Sequence, residues 1–356
     1  MFNTPARPFD ILTVFPELAA FAKSATRLHP RRGVPQAEAS SVAGQMLWPA
    51  EEPWPTCQLP HLVEVIRERT AEDLDESRRA DEHRAQLLAQ YGEVLEQIAD
   101  PERASQMAIA QQRMTEAKNR RSQRTTLRTW EPEAPTEPVP MVPVVQLNAA
   151  DIPEVRFPDG TDLLQILWCP YQHPDVPGMH EHYSGPAPKV IWRAADSLTK
   201  AIAGASSATS ANGFVLEQCV VHPEQITEYP DLEDLPEPLQ SRVYSWIDSL
   251  DEESDYGYSN DLSVAPGLKA GGWPYWPHGP RPVQCACGSE MQLLLTLPNG
   301  ERGAQSWTPL REQDHAAEQD YDAEFHDPTG FDGVRDELLI FICRQDSHHE
   351  VWIAIE

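Results

Sequence analysis

The chain lacks any apolar run near the roughly 20 residues that a membrane helix needs. Its first apolar stretch, Ile11 to Phe21, is interrupted by Pro16 and Glu17 and lacks a clear cleavage region, so it does not read as a secretory leader. Both features lead us to expect a cytoplasmic protein with no membrane partner. Basic residues are scarce: among 356 residues, 28 Lys and Arg face 56 Asp and Glu, for a formal net charge of −28. A surface of that sign repels phosphate backbones, which argues against a nucleic-acid partner. Glycine is sparse at 18, whereas proline reaches 34, and proline that dense implies extended, turn-rich backbone rather than a helical bundle. Catalytic motifs are also missing. There is no Gly-x-Ser-x-Gly elbow, no phosphate-binding glycine loop and no His-Glu-x-x-His helix. A non-enzyme is therefore expected, the alternative being an enzyme with an unrecognised carboxylate or Cys–His site, since carboxylate spacing belongs to the fold.

Six cysteines in a reducing compartment suggest core packing or metal rather than disulfides. Along the chain, residues 10–28 read as a short helix. Residues 41–60 are rich in Trp and Pro. From about Leu62 to Arg128 proline nearly vanishes, and Leu88, Tyr91, Leu95 and Ile98 form one apolar seam. Asp100-Pro101 marks a helix stop and restart, so this stretch reads as a helical hairpin. Its end is basic, with Arg113, Lys118, Arg120, Arg121, Arg124 and Arg128, and is expected to meet acidic stretches of this chain or of a partner. Residues 131–140 read as a linker. Beyond them come short β-like runs, Met141 to Leu147, Leu163 to Cys169, Lys189 to Trp192, Phe214 to Val221, Met291 to Leu297 and Leu338 to Ile342, with a helix near 236–250. The sum is an α+β fold with mostly antiparallel sheets and short helices.

Several blocks recur in order. Ser41-Val42-Ala43-Gly44 resembles Ser263-Val264-Ala265-Pro266. Met141–Leu147 lies over Met291–Leu297, and Asp162–Cys169 over Asp336–Cys343. We read an internal duplication, with residues 1–61 and 131–210 as the first half, 62–130 as an insertion and 211–356 as the second half. The same blocks resemble the YwqG-like family, domain of unknown function 1963, of the actinobacterial type. The carrying residues are Lys269-Ala270-Gly271-Gly272-Trp273-Pro274-Tyr275-Trp276-Pro277, Cys287-Gly288-Ser289-Glu290-Met291 and Leu163–Pro170, with His222-Pro223-Glu224 in support. The resemblance implies a duplicated α+β fold and no known reaction. It also raises an immunity or inhibitor role, which suits an acidic protein binding a basic protein partner.

Cys285, Cys287, Cys343 and His348 (or its neighbour His349) can supply four S/N ligands for tetrahedral zinc, and Cys57, His61, Cys169 and His173 offer a second set at matching strand ends. Against zinc stands the reading of buried cysteines as small apolar residues. Structural zinc, with the helical insert carrying the interaction, is thus the alternative function. His180-Glu181-His182 is a weaker chelate, and the run Asp251, Glu252, Glu253 and Asp255 reads as a solvated face. Trp48, Trp54, Trp273, Tyr275 and Trp276, stiffened by prolines, are candidate binding residues, or else they cap the sheets.

Overall fold

The structure is a computed structural model that describes residues 3–96, 113, 125–174, 176, 184–198, 200–202, 213–250, 254, 256–277, 279–301, 303–313, 326–335 and 337–356. The chain divides into a body, residues 1–61 and 134–356, and an inserted unit, residues 62–133. The body is mixed α and β, with mostly antiparallel sheets and few helices.

The apolar runs become central strands because they are covered on both faces. One six-stranded sheet holds β1 (Lys23–Arg27), β16 (Glu224–Glu228), β17 (Lys269–Gly271), β18 (Met291–Pro298), β19 (Glu337–Cys343) and β20 (Trp352–Ile355), in the spatial order β16-β1-β17-β18-β19-β20. The other holds β2 (Arg31–Arg32), β3 (Ser41–Val42), β9 (Val142–Asn148), β10 (Leu163–Trp168), β13 (Pro188–Arg193) and β15 (Cys219–Val220), in the order β2-β15-β3-β9-β10-β13. Two-stranded pairs complete the body: β4 (Met46–Trp48) with β14 (Lys200–Ile202), β5 (Thr56–Cys57) with β8 (Val139–Pro140), and β11 (His173–Pro174) with β12 (Ser184–Gly185). In the insert, β6 (His61–Glu68) pairs with β7 (Thr126–Glu133), and helix α1 spans Ala71–Glu96. The body adds α2 (Glu237–Ile247) and the short α3 (Leu310–Gln313).

The two sheets share one plan, residue by residue. Val145 stands opposite Ile166 on one side and Val42 on the other, as Leu295 stands opposite Ile340 and Ala270. Gln146 faces Gln165 and Ser41, as Thr296 faces Leu339 and Lys269. Each long ladder is interrupted at the same place, by one extra residue, Val144 or Leu294. A bulge of this kind flips the side-chain phase. Met291 and Leu293 therefore pack in one cluster with Phe341 and Cys343, while Leu295 and Leu297 turn to the opposite face with Leu338 and Ile340. That second face joins Val145, Leu147, Leu164 and Ile166 in the core common to both sheets.

The sheets also exchange strands. Arg27 of β1 pairs with Glu224 of β16 in the first sheet, and Val220 of β15 pairs with Arg31 of β2 in the second. Leu28-His29-Pro30 and Val221-His222-Pro223 are the two crossings, so neither sheet is made from one contiguous half. A cut between residues 210 and 211 therefore does not separate the sheets.

Three local expectations need correction. Residues 10–28 are two 3-10 turns, Ile11–Thr13 and Pro16–Phe21, followed by strand β1. Helical spacing of Leu18, Phe21, Ala22 and Ala25 loses to two ladders, because β1 is hydrogen-bonded on both edges. The inserted unit starts and ends as strands, β6 and β7, rather than as helix from Leu62. And Ser41–Gly44 matches Lys269–Gly272 in register, not Ser263–Pro266. Ala43 at φ 49° and Gly271 at φ 66° then share the left-handed turn. Gly272 takes φ 78°, and a Cβ there would press on the Glu228 carboxylate and lie 2.8 Å from the Ala25 Cβ. The hairpin's second helix, Ile98, Lys118, Arg120, Arg121, Arg124, His180-Glu181-His182, Asp251, Glu252, Glu253 and Asp255 lie outside the described residues.

Candidate metal centres

Cys57 is the last residue of β5, anchored opposite Val139 of β8. Cys169 directly follows β10, and its N–H donates to the Ala187 carbonyl at 2.9 Å. His61 opens β6 and His173 opens β11. The ends of four strands, one from a six-stranded sheet and three from two-stranded pairs, thus deliver four donors, and all four residues are buried. Cys57 Sγ lies 3.8 Å from His173 Nε2, and Cys169 Sγ 3.4 Å from His61 Nε2. The His173 ring hydrogen-bonds the Pro60 carbonyl through Nδ1 at 2.8 Å. A carbonyl only accepts, so Nδ1 carries the proton and Nε2 offers its lone pair to the cluster, as metal-binding histidines do.

The second set is built at the equivalent rim. Cys285 lies sixteen residues beyond Lys269, as Cys57 lies beyond Ser41, and Cys343 ends β19 opposite Met291. A tight turn carries Cys285 and Cys287. The Gly288 N–H donates to the Cys285 carbonyl at 2.8 Å, and Gly288 takes φ 84°, which favours glycine. His349, held by its N–H to the Asp346 carbonyl at 3.1 Å, brings Nδ1 to 3.4 Å from Cys285 Sγ. Cys287 and Cys343 sulfurs are 3.6 Å apart.

In each set the four donor atoms lie within 4.8 Å of one another. Zn–S and Zn–N bonds of about 2.3 and 2.0 Å give tetrahedron edges of roughly 3.3–3.8 Å, and the four contacts at 3.8, 3.4, 3.4 and 3.6 Å fall in that range. Four donors around each point also leave no open position for substrate, the pattern of structural zinc.

The electrostatics favour one anionic sulfur in each set, Cys57 and Cys343, whereas Cys169 and Cys285 are raised. At every one of the four innermost cysteines, the backbone N–H two residues on is directed at the sulfur: Leu59 for Cys57, Tyr171 for Cys169, Cys287 for Cys285 and Gln345 for Cys343. The Cys169 hydrogen bond, helped by the Leu59 N–H against burial, pulls Cys57 down to about 4. Cys169, bonded to that thiolate and buried, is pushed up, so the two share the remaining proton. Burial raises Cys343, but the amides of Asp346 and Gln345, with His349 and Cys287, outweigh it and bring it to about 6. Burial lowers His61 and keeps it neutral.

The structure therefore brings together Cys57, His61, Cys169 and His173, and likewise Cys285, Cys287 and Cys343. It replaces His348 with His349. The His348 Nδ1 bonds Asp346 Oδ1 at 3.1 Å in the solvent, whereas the turn closed by Asp346 rotates the next imidazole inward. Counting along the chain shows two adjacent histidines, and only the turn chooses between them.

Most of the aromatic candidates are structural. Trp48 is fully buried and Trp276 nearly so. Trp54 packs on Trp48 and donates Nε1–H to the Met141 carbonyl at 2.7 Å. Trp273 donates to the Phe21 carbonyl at 2.9 Å, and the Lys23 ammonium sits 3.4 Å over its ring. Of the five, Tyr275 alone is exposed. The tryptophans of these segments are held by burial and by indole N–H bonds to backbone carbonyls rather than presented at the surface.

No family model matches the chain, and a search of curated proteins finds no match either.

Proposed function

We propose that the protein is a zinc-stabilised, non-catalytic binding module in which two structural zinc ions close the rims of two sheets. The observation that carries this reading is the buried Cys2His2 tetrad, whose His173 is fixed by Pro60 with its free nitrogen turned inward. The duplication belongs to the same proposal: matching strand order, register, bulge and cysteine positions support copying of an ancestral half. So does the membership of the YwqG-like family suggested by Lys269–Pro277.

In this reading the insert carries the interaction with a protein partner. None of its described residues is buried, and Ile66, Leu74, Leu87 and Trp130 expose apolar surface. A two-stranded ribbon and a polar helix with no buried side chain among the described residues gain most by docking. The formal charge of −28 favours a basic partner and salt-sensitive association, which suits an inhibitor-type protein.

Elemental analysis of the native full-length protein tests the metal part. About two zinc per chain is expected, with X-ray absorption giving mixed sulfur and nitrogen ligation. Metal-free protein whose melting is unchanged by added zinc would retire the reading.

A further inference from the structure

Five of the six cysteines are buried, and Cys287 is the exposed one. It sits beside a cavity of about 260 Å³ lined by Cys285, Ala286, Met291, His349 and Trp352 among others. Its sulfur is 3.6 Å from that of Cys343. The first tetrad has no such access, since Cys57, His61, Cys169 and His173 are all buried. Resting on the zinc reading, we propose that Cys287 is an oxidant-reactive modification site, at which a hydroperoxide converts Cys287 and Cys343 to a disulfide and releases the second zinc while the first stays.

Reactivity of a cysteine follows thiolate character and exposure together. Zinc holds its cysteine ligands as thiolates, so both tetrads meet the first condition and only Cys287 meets the second. The Cys287 thiolate attacks one peroxide oxygen. An S–O bond forms, the O–O bond breaks, and the departing alkoxide or hydroxide takes a proton from water. The Cys343 sulfur then attacks Cys287, forming the S–S bond and breaking S–O, and hydroxide leaves to become water. Two electrons pass from the two thiolates to the peroxide, which is reduced to water or an alcohol. The ion is left with Cys285 and His349, too few donors to hold it.

The test uses zinc-loaded full-length protein, hydrogen peroxide, a chromogenic zinc chelator and peptide mapping. Zinc is counted before peroxide is added. The expected result is loss of one of two zinc equivalents, a Cys287–Cys343 disulfide, and Cys57 and Cys169 still alkylated as free thiols. Dithiothreitol with added zinc restores the starting state. In Cys287→Ser the peroxide-driven disulfide disappears. Release of both ions together, earlier oxidation of Cys57 or Cys169, a disulfide that omits either Cys287 or Cys343, or two zinc retained under peroxide would overturn the inference. A chain that proves zinc-free yet still forms the Cys287–Cys343 disulfide would overturn the zinc reading alone and keep the thiol assignment.

Discussion

Cys57 and Cys285 hold matched positions, as do Cys169 and Cys343, yet the two rims around them differ. The first rim adds two histidines and closes over all four donors. The second adds a cysteine and a histidine on turns, and leaves Cys287 in contact with solvent. The sheets differ in the same sense at the crossings and at the strand next to β1 and β15, where one carries Lys269 and the other Ser41. Shared geometry therefore fixes where the cysteines stand, and local burial distinguishes the two clusters.

The largest contrast should come from the first tetrad. On the zinc reading, Cys169→Ser removes one of four donors from a buried set, and should cost on the order of 5 kcal/mol or abolish cooperative unfolding. Calorimetry with and without chelator checks it. Equal damage from Cys343→Ser would break the comparison. Next is Lys269→Met. The ammonium and the Glu228 carboxylate are both buried, 2.6 Å apart, and Glu228 also accepts the N–H groups of Ala265 and Trp273. Removing the cation should cost about 3–5 kcal/mol in urea melts. At the matched position, Ser41→Ala should change stability by less than about 1 kcal/mol.

The crossings give a pH contrast. Burial holds His29 down to about 4 from 6.5, against the hydrogen bond to Glu224 at 2.9 Å. The unfolded chain then binds the proton more readily. The stability contributed by neutral His29 is complete above pH 6.5 and is lost as pH falls toward 4, by up to about 3 kcal/mol. His29→Asn should flatten that part of the pH–stability curve, and asparagine tolerates φ 42°. His222→Asn should flatten it less, because His222 is the more exposed of the two. The smallest effect is expected for Cys287→Ser. It should lower the melting temperature by about 2–4 °C, the shift of a marginal loss in a chain this size, while zinc in the first tetrad is retained. Complete unfolding of this variant would show that exposure does not separate the two sites.

Much of this architecture could be read along the chain. Met141–Leu147 and Met291–Leu297, with Leu163–Cys169 and Leu338–Cys343, read as short apolar strands, and the structure makes each of them part of a central ladder. Seven of the eight clustered residues were named from the sequence, with Cys169 and Cys343 closing two of those runs and the others read from the remaining cysteines and the histidines near them. The short strands were not visible. β1, β2, β3 and β17 have two to five residues each, and nothing in Lys23–Arg27 prefers a sheet until Gln225 and Ala270 flank it. The rigid Trp-Pro segments looked like binding anchors because exposure has no local signature.

The order of apolar runs, the placement of cysteines at their ends and the excess of carboxylates were determined by sequence alone, since each depends on composition within a few residues. Which histidine turns inward, which tryptophan is covered, which sheet β1 joins and which single thiol meets water were decided only when distant segments packed. Those outcomes are set by the removal of water from surfaces far apart in the chain, and no local pattern encodes them.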